Sequence, residues 1–248
     1  MFSKDNKKTL INHINSLNIL ENDNLIVHSD LKAFGIIDKG ISNFITKLFL
    51  KKIGKKGNLA MPYYNLLQKQ NTLINDNDAK KQNSVLSNNF LSNFKPKKSH
   101  SILHSHLLLG PLSSKFSKRK CYDSFGKKSD FVFFLKNNFK LILLGVEPKE
   151  GCTFIHNLEF EAKIKSRKKV AQRYEVLINK KSKKINLTYY IRKQNYKNDL
   201  NKIFFSKKLK KHIIVSKLKY GASYIVSLKN LNKYGKEKLK NQKNLFIK

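Results

Sequence analysis

The stretch that most constrains the fold runs from Lys140 to Glu161, KLILLGVEPKEGCTFIHNLEFE. Leu141 to Val146 is nearly unbroken apolar sequence closed by Pro148 and Gly151. A run of that length without polar alternation reads as a buried strand leading into a loop. Beyond the loop, Thr153, His156 and Glu159 recur at spacings of three, which places all three on one face of a helix. A helix that starts at the carboxyl end of a buried strand is where α/β proteins collect ligand and catalytic groups. A single H-x-x-E also arises by chance in many helices, so the rest of the chain has to support it.

The flanking sequence supplies an alternating pattern. Asp5 to about Leu20 predicts an amphipathic helix with Leu10, Ile11, Ile14, Leu17 and Leu20 on its apolar side. Asn24 to His28 is a short buried strand that delivers His28, Ser29 and Asp30 into a turn before Gly35. A second amphipathic helix follows Gly40, carries Ile41, Phe44, Ile45, Leu48 and Phe49, and stops at Gly54. Asn58 to Met61 is a strand ended by Pro62, which completes a strand, helix, strand unit of the kind that builds parallel sheets. Gln68 to Ser99 is polar, anchored by Val85, Leu86, Phe90, Leu91 and Phe94, and reads as a long excursion with one short helix, either a substrate-side flap or a poorly ordered loop.

Ser101 to Gly110 sets His104, Ser105 and His106 in an apolar run. Two histidines around a serine suit a relay or a ligand pair, and equally a strand or helix start whose side chains satisfy local backbone groups. Lys115 to Lys128 is a basic loop, and Phe131 to Asn138 opens a helix or strand. Lys163 to Lys169 is a charge run of the sort that coats a solvated face. Tyr174 to Ile178 and Ile185 to Ile191 predict a hairpin with a basic tip. Ile213 to Leu218 and Ala222 to Leu228 predict a second, followed by a short helix and a Lys-rich tail. The expected fold is α/β, a three-layer α/β/α sandwich with a mixed central sheet, as one domain over residues 1–248. Its parallel core spans about residues 5–161 and its antiparallel part about 162–240.

Charge bounds the partners. Lys and Arg number 52 against 16 Asp and Glu, a net charge of +36, yet only four of the 52 are Arg. Guanine and phosphate readers lean on the bidentate guanidinium, so a lysine excess is weak support for specific nucleic-acid recognition. Lys, Asn, Ile and Phe are abundant together, as AT-rich codon usage would produce. The charge still attracts polyanions, and a basic nucleic-acid or ribosome-binding protein is the alternative function. Two cysteines make no disulfide framework, no apolar run approaches the roughly 18 residues of a membrane span, and the start MFSKDNKK has no signal-peptide core. The expected setting is cytoplasmic. A metal-dependent hydrolase using His104, His106, His156 and Glu159 would lack a zinc-type spacing.

Five blocks together resemble the aminoglycoside 3-N-acetyltransferase family. LIVHSDLKAFG, Leu25 to Gly35, is similar to its His-Ser-Ser motif, and GNLAMPYY, Gly57 to Tyr64, to its Gly-Thr-Leu-x-Met-Pro-Thr block. KSHSILHSHLLLG resembles the Arg-Ser…Pro-x-His-Ser segment, SFGKKSDF the Phe-Gly-x-x-Ser-Pro turn, and the opening stretch the Leu-Leu-Gly-Val…Thr-Ser-x-His-x-x-Glu block. The resemblance implies a layered α/β/α fold in which acetyl-CoA meets an amino sugar. It also implies roles: His156 as general base, Glu159 to orient it or bind the ammonium, and Thr153 near the thioester or the imidazole. His28, Ser29, Lys32, His104 and Ser105 would border the co-substrate, with its pyrophosphate on the N–H groups after Asp30. Cys152 as a covalent nucleophile is a minor variant. Asp30, Ala33, Asn58, Lys98 and Asp130 depart from the pattern, Asp130 standing where the family has Pro. A protein of charge +36 with few carboxylates is also a poor electrostatic host for polycationic drugs.

Overall fold

The computed structural model describes residues 3–36, 40–66, 76–178, 181–193 and 199–241. Helix α1, Lys4–Asn15, precedes β1, Asn24–Ser29; a 3₁₀ turn, Leu31–Phe34, leads to α2, Ile41–Ile53, and β2, Asn58–Tyr64. Then come α3, Asp76–Gln82; α4, Val85–Phe94; β3, Lys97–Lys98; β4, His104–Leu109; α5, Ser113–Ser117; and α6, Asp130–Lys136. The central segment is β5, Lys140–Leu144, followed by α7, Pro148–Gly151, and α8, Phe154–Glu161. The remainder is β6, Arg167–Ile178; β7, Lys181–Arg192; α9, Leu200–Phe204; α10, Lys207–Lys210; β8, Ile214–Leu218; β9, Gly221–Ser227; and α11, Leu228–Asn241.

Among the described residues the strands make a seven-stranded sheet, ordered β3-β4-β2-β1-β5-β9-β8, and a separate two-stranded ribbon, β6-β7. β1 pairs in parallel with β2 and β5, while the pairs toward both edges are antiparallel. The mixed sheet is as expected, but its antiparallel pairing is not confined to the C-terminal part. The α3–α4 excursion leaves and re-enters at the same end of the sheet, so β4 has to run back along β2. The 167–192 hairpin forms but stays outside the central sheet, because its apolar side chains Tyr174, Ile185 and Leu187 pack instead on Ile102 and Leu103.

Alternation along the strands builds two cores. Leu25, Val27, Leu59, Met61, Ile142 and Leu144 face one layer, with α1, α2, α3 and α4. Ile26, Ala60, Leu108, Leu141 and Leu143 face the other, with α5, α6, α8, α9 and α11. Successive side chains on a strand point to opposite faces, so strands apolar on both faces are what a sheet covered on both sides requires.

Four boundaries differ from expectation. α1 ends at Asn15, since Ser16 hydrogen-bonds the His13 carbonyl and Ser216, and Asn18 takes a left-handed φ of 49°; Leu20 is 62% exposed. β2 runs through Pro62 to Tyr64: β1 pairs with it only as far as Ala60, so beyond that point β2 keeps β4 alone and a missing N–H is tolerated. The excursion holds two helices, and α4 is packed on α2 and β2 through Leu86 and Phe90 rather than lying over the site as a flap, with Val85 at 69% exposure. The final helix is 14 residues long rather than short, and the Lys-rich tail and the first part of the excursion lie outside the described residues.

Gly145, directly after β5, fixes how the strand meets the 3₁₀ turn. Its φ is 70°, its N–H donates to Ser223 Oγ at 3.0 Å, and a Cβ there would stand 2.5 Å from the Asp30 carbonyl oxygen. Gly145→Ala is therefore expected to lower unfolding free energy by about 2 kcal/mol or more, read by urea denaturation; a neutral effect would contradict the close approach.

Candidate active site

Period-two alternation selects the face. On β1, β2 and β4, residues His28, Tyr64, His104 and His106 share the side that carries Ile26, Ala60 and Leu108, which is the side α8 packs on. Ser29, Tyr63 and Ser105 point to the other layer. The Tyr64 ring gathers the three imidazoles: its centroid lies 6.2 Å from His28, 5.0 Å from His104 and 5.4 Å from His106.

α8 brings the second half. Thr153 stands at its N-cap, His156 is 23% exposed, and Glu159 is fully buried one turn on. His156 Nδ1 lies 2.8 Å from Glu159 Oε2. Arg167, the first residue of β6, donates from Nε to the same oxygen at 2.5 Å and from Nη1 to the Tyr190 carbonyl at 3.1 Å; its Nη2 lies 2.7 Å from His156 Nδ1. An ionised carboxylate only accepts and a guanidinium only donates, so the tautomer of His156 decides which of them Nδ1 bonds. With the proton on Nδ1 and toward Glu159, Nε2 keeps its lone pair.

The two halves meet. Thr153 neighbours the Tyr64 phenol, and the Phe125 ring bridges His104, at 5.1 Å, and His156, at 6.5 Å. Burial pushes the Tyr64 phenol far above its usual range, so it stays protonated. Burial, and then the nearby His106, lowers His28 to about 3. Burial lowers His104 to about 3 as well, helped by His156, His106 and Arg167, while its Nδ1 lies 2.8 Å from Ser124 Oγ. These imidazoles are neutral at physiological pH. Behind them His106 Nδ1 meets Asp130 Oδ2 at 3.1 Å, and Arg119 Nη1 donates to Asp130 Oδ1 at 3.1 Å.

The residues singled out from sequence thus divide. His28, His104, Thr153, His156 and Glu159 come together. Ser29 donates instead to Ser84 Oγ at the start of α4, and Ser105 to the Tyr63 carbonyl, both on the opposite face. Lys32 is exposed in the 3₁₀ turn, where Asp30 Oδ1 takes its backbone N–H at 3.0 Å, so one N–H expected to face pyrophosphate is already bonded. Cys152 lies wholly within the core and burial drives its thiol far up, which removes the thiolate a nucleophile needs. No three His, Cys, Asp or Glu among the described residues are grouped to hold a metal ion.

Sequence reasoning missed Arg167 and Tyr64. Arg167 sits in the run read as a solvated face, yet its side chain is 8% exposed. The usable signal was its identity, an arginine in a lysine run, because a buried carboxylate favours the planar fork. Tyr64 could have been found by counting alternate positions from Ala60, had Pro62 not been taken as the strand's end.

A family model for aminoglycoside 3-N-acetyltransferase matches residues 26–240. A search of curated proteins finds no match. Among solved structures, the chain is similar to aminoglycoside acetyltransferase AAC(3)-Xa at TM-score 0.79 and 12% identity, covering 96% of this chain and 93% of that one. Sisomicin-bound AAC-VIa matches at 0.78 and 14%, covering 95% and 98%, and the AAC-IIIb binary complex with CoASH at 0.76 and 13%, covering 95% and 96%. The shared fold is thus accompanied by a family match across most of the chain, and the chain belongs to the aminoglycoside 3-N-acetyltransferase family.

Proposed function

We propose that the protein transfers an acetyl group from acetyl-CoA to the amino group of an amino sugar, with His156 as general base. The observation that carries this reading is the His156–Glu159–Arg167 set: a partly exposed imidazole held from behind by a fully buried carboxylate, which is itself held by a guanidinium. An amine attacks a thioester only as the neutral base, so a group able to take its proton must face it. In the Nδ1–H tautomer His156 offers Nε2 for that proton. Negative charge gathers on the thioester oxygen as the C–N bond forms. The N–H groups of Thr153, Ile155 and His156 at the start of α8 are already bonded to the Gly151, Cys152 and Thr153 carbonyls, and the departing sulfur carries away the electron pair.

The co-substrate end rests on His28 and His104 on the α8 face, without Ser29 and Ser105, which face the other layer. Exposed Lys32 and, across Gly35, the side chains of Lys219 and Tyr220 supply cations and an aromatic surface for an anionic nucleotide. The relatives include a structure bound to CoASH and one bound to sisomicin. For this chain the net charge of +36 favours an acceptor with fewer positive charges than an aminoglycoside drug, such as a singly aminated sugar. Isothermal titration with acetyl-CoA, followed by acetylation assays over a panel of amino sugars and aminoglycosides, tests both parts. Saturable binding and faster turnover of mono-amino sugars are expected. Absence of any acetyl-CoA binding would overturn the reading, and preference for the polycations would overturn the acceptor assignment.

A further inference from the structure

Resting on the acetyl-transfer reading, we propose that Asp130, His106 and Tyr64 form a buried positioning relay that sets the direction of the Tyr64 hydroxyl at the site, beside Thr153. The set is closed to solvent at its inner end, with Asp130 2% exposed and His106 fully buried. Arg119, lying over the Phe133 ring at 4.8 Å, donates to Asp130 Oδ1 and so fixes one side of the carboxylate. The other oxygen, Oδ2, accepts from His106 Nδ1 at 3.1 Å. Arg119 balances the charge of the carboxylate within the buried set.

A neutral imidazole carries one N–H. If Nδ1 holds it, Nε2 must accept, and the group facing Nε2 is the Tyr64 hydroxyl at 3.3 Å, a phenol that burial keeps protonated. Having donated its proton to His106, the Tyr64 oxygen is left as an acceptor with Thr153 as its neighbour. Thr153 stands one turn ahead of His156, so the oriented Tyr64 oxygen lies on the side of the site from which the amine is approached. Every donor direction therefore follows from Asp130 outward. The edge-on packing of Tyr64 against His104 and His106, with Phe131 and Phe134 closing on His106, leaves the chain little room to rotate.

Two facts argue that the relay is more than core filling. A buried ion pair is commonly no more stabilising than apolar side chains of the same volume, so its presence calls for another role. Asp130 stands where the family's motif has Pro, and it pairs with a histidine that the motif does not call on.

The experiment combines two substitutions and one spectrum. Tyr64→Phe keeps the ring and deletes the hydroxyl; Asp130→Asn keeps the size and removes the charge. Each is expected to lower kcat/KM for the amine about tenfold, the scale of one hydrogen bond, with KM for acetyl-CoA unchanged. The double variant should be no worse than either single one, because members of one relay are not additive. Nitrogen-15 spectra of the wild type should place the His106 ring proton on Nδ1, and Asp130→Asn should move it to Nε2. Wild-type turnover in Tyr64→Phe, additive losses, or a wild-type proton on Nε2 would each overturn the proposal. The spectrum needs neither turnover nor a variant that folds, so it decides the relay even if the protein transfers no acetyl group.

Discussion

His156→Ala is expected to lose about a hundredfold to ten-thousandfold in kcat, the usual contribution of a positioned acid or base, while acetyl-CoA still binds. The imidazole is removed from the edge of the site, and the pair behind it stays closed, since Arg167 Nε reaches Glu159 Oε2 without help from the ring. The fold should be retained, with a melting temperature within a few degrees of the parent. Glu159→Ala is the informative contrast. It leaves the Arg167 guanidinium, 8% exposed, without its carboxylate, and removing one member of a buried pair costs about 3–5 kcal/mol. Steady-state kinetics with calorimetric binding and thermal melts separate the two outcomes. A His156→Ala enzyme with parental kcat would remove His156 as the base.

The second large effect is on stability in acid. His13 is buried between Ser223 Oγ at 2.9 Å and Ser216 Oγ at 3.0 Å, and burial holds it at about 4. His28, 6% exposed, is held at about 3 by burial and then by His106. Both values lie below the 6.5 of an unfolded histidine, so as pH falls below 6.5 the unfolded chain takes up protons that the folded chain refuses. The stability these residues contribute is complete above pH 6.5 and is lost as pH drops toward 4. Each contributes a slope of about 1.4 kcal/mol per pH unit, about 3 kcal/mol together, and His104, partly exposed, adds less. Against a total of about 5–15 kcal/mol, urea midpoints should collapse between roughly pH 6 and pH 4. The slope should be shallower by about 1.4 kcal/mol per unit in His13→Gln. A midpoint that stays flat from pH 7 to pH 5 would contradict the neutral, buried state of these rings.

Much of the architecture was legible because it rests on strong local rules. The six apolar residues from Leu141 predict β5 because few other elements bury such a run, and the spacing of Thr153, His156 and Glu159 predicts the α8 face by helix geometry alone. What escaped was set by pairing. Pro62 reads as a strand end until one knows that β1 has already stopped pairing with β2. Lys163 to Lys169 reads as solvated because no local pattern shows that Arg167 faces a buried Glu159 eight residues earlier. The family resemblance places Ser29 and Ser105 at the co-substrate with His28 and His104, yet on a strand adjacent residues face opposite ways. Asp130 looked like a lost proline; only the fold shows the imidazole that it faces.

The sheet order also has a consequence in time. β5 lies in the middle, between β1, some 110 residues earlier in the chain, and β9, some 80 residues later. During synthesis the Leu-Ile-Leu-Leu strand can join β1 at once, but its other edge has no partner until Gly221–Ser227 leaves the ribosome. For that interval the nascent chain displays a strand edge of unpaired N–H and C=O groups, the kind of surface on which chains associate with one another. The sequence between those two strands is rich in lysine, and like charge opposes association of such chains.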